Sequence, residues 1–120
     1  MNPPIPHATL FAVNPLPRWS SYIVEYLTKG HTNPNKPKHR KLLIEAEAQN
    51  YTLIDGQLYK RGKDGNLRLC VSESQYLEIL HHAHAGVAGG HFSGPTTAKS
   101  ILWSGLWWPT LHMVALEYVK

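Results

Sequence analysis

Apolar residues recur at helical spacing over Trp19, Tyr22, Ile23, Tyr26 and Leu27, so that all five side chains fall on one face. Pro17 presets a first helical turn and Gly30 can end the last one. The pattern therefore predicts a helix between them. Residues 30–37 hold Pro34 and Pro37 and predict a non-helical linker. Residues 39–50 return to helical spacing, with Leu43 and Ala46 expected to face inward and Ile44 as a further candidate. The period then changes to that of strands. Tyr51–Ile54, Gln57–Arg61 and residues 67–71 are short and rich in aromatic or branched residues. Asp55-Gly56 is a two-residue hairpin turn, because glycine accepts the positive φ such a turn needs. Lys63-Asp64-Gly65-Asn66 supplies a second turn. The expectation is an antiparallel hairpin or three-stranded meander, too small to stand without helices.

Ser72 followed by Gln75 has the form of a capping box, and Tyr76, Ile79, Leu80 and Ala83 continue as an apolar stripe. That helix is expected to reach about His84, with Gly86 ending it. Pro95 starts a short helix over 96–103, and Gly105 breaks it. Leu106, Trp107 and Trp108 form an apolar knot before Pro109, most simply core. A final helix from Thr110 carries Leu111, Val114, Ala115 and Tyr118 on one face. Residues 1–16, with Pro3, Pro4, Pro6 and Pro15 and little charge, read as an extended tail. The class is α+β: a small helical domain with a short antiparallel β-hairpin or meander, preceded by a proline-rich tail and a helix. There is no internal repeat.

Composition narrows the partners more than the fold. A length of 120 residues holds one domain and a tail. The net charge of +4 is compatible with DNA or RNA as a partner, and eight histidines would raise it below about pH 6.5. A single cysteine excludes an internal disulfide and suits a reducing compartment. No apolar run approaches the ~18 residues that cross a bilayer, and the first residues lack the basic-then-apolar order of a signal peptide. The expected protein is intracellular, nuclear or cytoplasmic, with no membrane partner. Lys29, Lys36, Lys38, Arg40 and Lys41 form a basic stretch without a compensating acid. A solvated linker and helix start accounts for it; a phosphate-contacting patch on Lys36, Lys38, Arg40 and Lys41 is the sharper alternative.

The candidate chemistry lies in His81-His82-Ala83-His84-Ala85-Gly86-Val87-Ala88-Gly89-Gly90-His91. Zinc takes four nitrogen or sulfur ligands at about 2.0–2.3 Å. A histidine at a helix end, a glycine loop that can fold back, and a second histidine would deliver two of them. His81, three residues before His84, shares its helix face and is a conceivable third; His82 points elsewhere. On spacing alone, surface histidines on a loop are the simpler account.

Several motifs in fixed order change that weighting. Leu53-Ile54-Asp55-Gly56-Gln57-Leu58-Tyr59-Lys60-Arg61-Gly62, then Arg68-Leu69-Cys70-Val71, then the His84–His91 run, then Gly105-Leu106-Trp107-Trp108-Pro109-Thr110-Leu111 together resemble the N-terminal zinc-binding region of integrases from gypsy-class long-terminal-repeat retrotransposons. Trp19-Ser20-Ser21-Tyr22-Ile23-Val24-Glu25-Tyr26-Leu27 resembles the segment before that region in the same polyproteins. The resemblance implies a tail over 1–16, a helical linker segment over 17–50 and a zinc-binding-type domain over 51–120. It also implies a His-His-Cys-Cys zinc site in which His84 and His91 are the histidines. The cysteine pair of the family follows the helix that the last residues here resemble, so the site is incomplete in this chain. Cys70 falls on a strand and is expected to be a small buried hydrophobe.

In that family the domain assists assembly and DNA engagement, while strand transfer belongs to an acidic core further along. Such chemistry needs carboxylates holding two metal ions, and the eight acids here are scattered, with Asp55 and Asp64 committed to turns. The expectation is a non-enzymatic module that binds nucleic acid, itself, or the rest of an integrase, with weak zinc binding and residues 96–120 poorly anchored. The alternatives are a basic nucleic-acid-binding module that needs no metal, and a non-functional remnant of a decayed element.

Overall fold

Pro17 does more than preset a helix. Its carbonyl accepts the Ser20 amide at 3.1 Å and the Ser20 hydroxyl at 2.7 Å, closing a 3-10 turn over Arg18–Ser20 that runs directly into helix α1 (Ser21–Lys29). In the computed structural model, which describes residues 16–85 and 93–120, the chain forms two compact units that meet in sequence at Cys70 and Val71. The first is Leu16–Cys70. Gly30 ends α1 with φ of 79°, its amide donating to the Tyr26 carbonyl at 2.8 Å, a left-handed geometry that favours glycine. Pro37 then precedes helix α2 (Lys38–Ala48). The Tyr22 hydroxyl on α1 lies 3.0 Å from both carboxylate oxygens of Glu47 on α2, tying the two helices.

The inward face of α2 departs from expectation. Ile44 and Ala48 are buried, whereas Leu43 is 60% exposed and Ala46 is also exposed. Residues 44 and 48 share a face by i, i+4 geometry, and Leu43 and Ala46 lie on the other side of the cylinder. Apolarity alone did not distinguish the two candidate stripes.

The strands follow the predicted pattern. β1 (Tyr51–Ile54) and β2 (Gln57–Arg61) pair antiparallel, Tyr51 opposite Lys60 and Ile54 opposite Gln57. Asp55 and Gly56 have φ of 50° and 76°, both positive as a two-residue hairpin with right-handed strand twist requires. β3 (Leu67–Cys70) adds antiparallel to β2, with Tyr59 opposite Leu69. In the turn between them Asp64 accepts the Asn66 amide at 3.1 Å and pairs with Arg68 at 2.9 Å. Leu58, Leu69 and Cys70 are buried.

The second unit, as described, begins at Val71. The capping box expected at Ser72 does not form: the Ser72 side chain makes no cap bond, and its carbonyl instead accepts the Gln75 amide at 2.9 Å, closing a 3-10 turn over Glu73–Gln75. Helix α3 (Tyr76–Ala85) follows, burying Ile79, Leu80 and Ala83. Helix α4 (Gly94–Trp103) starts two residues earlier than expected, because the Ser93 side chain accepts the Thr96 amide and caps it. Gly105, at φ 86°, turns the chain into the short strand β4 (Leu106–Trp107), where the Trp107 carbonyl accepts the Val71 amide at 3.2 Å. Helix α5 (Leu111–Val119) closes the unit, burying Leu111 and Ala115. The core forms where α3, α4 and α5 meet, around a fully buried Trp108 stacked on Tyr76 at 4.1 Å between ring centroids. The chain is thus α+β, as its residue pattern predicts. Among the described residues no helix is long and apolar enough to cross a membrane.

Candidate functional site

His84 occupies the last turn of α3 and is half-buried, while His81 and His82 on the same helix are exposed. The alternation follows from the buried Ala83 and Leu80, which fix the rotation of the helix. The His84 ring stands edge-on to Tyr118, with centroids 5.6 Å apart and planes at 84°. Tyr118 lies one residue before the end of α5, so the end of α3 lies beside the end of α5. Helical spacing on α5 shows which face Tyr118 occupies, but nothing local in the sequence pairs it with His84; that contact follows from how the two helices pack.

His91 lies outside the described residues. Among the described residues no three His, Cys, Asp or Glu side chains come together as a metal ion would require. Tetrahedral zinc takes four ligands. Of the two histidines that the resemblance implies as ligands, His84 is the one within the described residues.

Lys38 and Arg40 are exposed, and Lys36 and Lys41 are half-buried. Lys38, Arg40 and Lys41 fall in the first turn of α2, which holds no acidic residue and is preceded by Pro37, a residue with no side-chain cap bond. Positive side chains at a helix N-terminus oppose the helix dipole. The ion pairs among the described residues are Arg68–Asp64 and Lys120–Glu117, and none of the four cations belongs to either. The arrangement leaves positive charge facing solvent, the electrostatic condition for phosphate contact.

Cys70 is fully buried on β3, and burial pushes its thiol up to about 12, with nearby Lys60 pulling the other way. Tyr51 is raised too, by burial first and then by Cys70, Glu47 and Tyr22. A buried thiol at that pKa is protonated at neutral pH and is a poor metal ligand or nucleophile. It also makes stability depend on alkaline pH. In the unfolded chain the thiol ionises near pH 8.5, but in the folded chain only near 12. Above about pH 8.5 the unfolded chain therefore releases a proton that the folded chain keeps, and stability falls by up to about 1.4 kcal/mol per pH unit. Urea midpoints measured at increasing alkaline pH should decline less steeply in Cys70→Ala. Equal slopes in parent and variant would contradict the assignment.

No family model matches the chain, and no curated protein or solved structure matches it.

Proposed function

We propose that this chain is a non-catalytic module of the integrase zinc-binding type, serving nucleic-acid binding and integrase assembly. Within it, His84 and His91 are the histidine half of a zinc site. The observation that supports this most directly is the packing of His84 against Tyr118. The family's cysteine pair follows the helix that α5 resembles, and the end of α5 lies next to His84. Residues continuing past α5 would thus start close to the imidazole they need to join. Zinc, when bound by a complete set, supplies folding energy and geometry rather than chemistry on a substrate.

Calorimetric zinc titration tests the reading. With half a ligand set, the 120-residue chain should bind zinc more weakly than about 10 μM. Appending a Cys-x-x-Cys segment after Lys120 should tighten binding by about a hundredfold or more, and His84→Ala should remove most of that gain. No gain from the added thiols would overturn the proposal. Submicromolar zinc binding by the unextended chain, abolished by His84→Ala, would show that the site closes within it.

The exposed, acid-free start of α2 favours one other reading, a metal-independent nucleic-acid-binding module working through Lys36, Lys38, Arg40 and Lys41. The same preparations separate the two. Duplex DNA affinity that falls steeply with salt, ignores chelator and is lost when those four cations are neutralised would favour the metal-free account.

A further inference from the structure

Helix α2 carries a second apolar stripe that nothing among the described residues covers. Leu42, Leu43 and Ala46 form it, with the polar His39 one turn before them completing i, i+3, i+4, i+7 spacing, and all four are exposed, Leu42 at 56% and Leu43 at 60%. Such spacing is that of a helix seam meant for another helix. It lies opposite the face of Ile44 and Ala48, which is already buried.

The charges beside the stripe are sorted by position. The first half of α2 is basic, with Lys38, Arg40 and Lys41, and the second half is acidic, with Glu45 and Glu47. One flank of the stripe carries Lys38 and Glu45; the other carries Arg40 and Glu47. The separation within each pair is seven residues, two helical turns. When two helices pair antiparallel about a two-fold axis, each flank meets its own copy running in reverse. Lys38 would then face Glu45 of the second copy, while Glu47, held by the Tyr22 hydroxyl of α1, leaves the other flank without such a contact. The midpoints of both pairs fall beside Leu42 and Leu43, the residues that would lie on the axis. A parallel pairing would instead set basic half against basic half.

We propose that this face of α2 docks the same face of a second copy of the chain, antiparallel, with Leu42 and Leu43 at the centre and Lys38–Glu45 contacts at the rim. The partner is thus the chain itself, and no metal takes part. The stripe is smaller than the roughly 1,200 Å² of a stable interface, so the dimer is weak and populated at high concentration.

Sedimentation equilibrium of the full chain with chelator present, from about 20 μM to 1 mM, reads this association directly. Concentration-dependent dimer is expected, and Leu43→Asp should weaken it by roughly tenfold or more, since a carboxylate would enter the seam. Lys38→Glu and Glu45→Lys, both at exposed positions, should each weaken self-association. Mixed together, they should recover it, because each then supplies the charge the other lacks. Circular dichroism confirms that the variants fold. A parent that stays monomeric to the top of the range, a Leu43→Asp chain that associates like the parent, or a mixture that fails to recover would each overturn the proposal. All three outcomes are independent of zinc binding, so they leave the preceding reading to its own test.

Discussion

Trp108→Ala is expected to cost about 3–5 kcal/mol of stability, a large share of what a domain of this size has. Trp108 is fully buried, and its ring lies nearly parallel to that of Tyr76, at an interplanar angle of 14°. Its carbonyl also accepts the Leu111 amide at 3.1 Å where α5 begins, so the ring and the backbone both hold the last helix. Truncation to alanine leaves a cavity that the surrounding helices fill only in part. Trp108→Phe should behave differently. The indole Nε1 is buried with no hydrogen-bond partner among the described residues, a state that costs about 1–3 kcal/mol. Phenylalanine removes that unsatisfied group and keeps an aromatic face for Tyr76, so the lost volume is partly offset. The Phe variant should remain within about 1.5 kcal/mol of the parent. Guanidinium unfolding followed by near-ultraviolet circular dichroism would measure both. Equal losses would mean that ring contact and the orphaned N–H are not what distinguish this site.

Gly94→Val should destabilise the Val71–Lys120 unit by about 3 kcal/mol, and Gly94→Ala by about 1–3 kcal/mol. A Cβ at Gly94 would sit 2.9 Å from the Leu116 Cα and 2.7 Å from its Cδ2, where ordinary contact begins at 3.4 Å. The first is backbone and cannot step aside without moving α5 away from α4. Gly94 is also in the first turn of a helix and directly before Pro95, where a side chain clashes with the proline ring in the helical conformation. Both effects act on the same atom. Leu116→Ala should therefore rescue only part of the loss, since it removes the Cδ2 contact and leaves the Cα. Thermal unfolding of the two single variants and the double variant tests this; full rescue would show that the side chain alone sets the limit.

Local features of this fold were legible wherever neighbouring residues make the decision. Asp55-Gly56 is a hairpin because two successive positive φ angles are needed and glycine adopts one without strain. Gly30 and Gly105 end their helices for the same backbone reason. The stripe of Ile79, Leu80 and Ala83 on α3 is buried as its spacing predicts. At Ser72 the expected cap gave way to a 3-10 turn, since a serine followed by glutamine three residues on is satisfied by either arrangement. At α4 the cap comes from Ser93, upstream of Pro95. On α2, Leu43 and Ala46 compete with Ile44 and Ala48 for the interior, and only contact with α1 and β1 selects between two apolar faces.

The candidate site divides along the same line. Residue identity and order determined that His84 ends a helix, that a glycine-rich run leads to His91, and that the basic residues gather at the start of α2. Those are properties of the covalent chain and its local conformational preferences. Tertiary packing decided that His84 stands against Tyr118, that the burial expected of Cys70 is deep enough to push its thiol up to about 12, and that Leu42 and Leu43 face outward beside charges of both signs. Each of these depends on residues distant in sequence arriving at one place. No local propensity encodes that, because the free energy of burial depends on what covers a residue as well as on the residue itself.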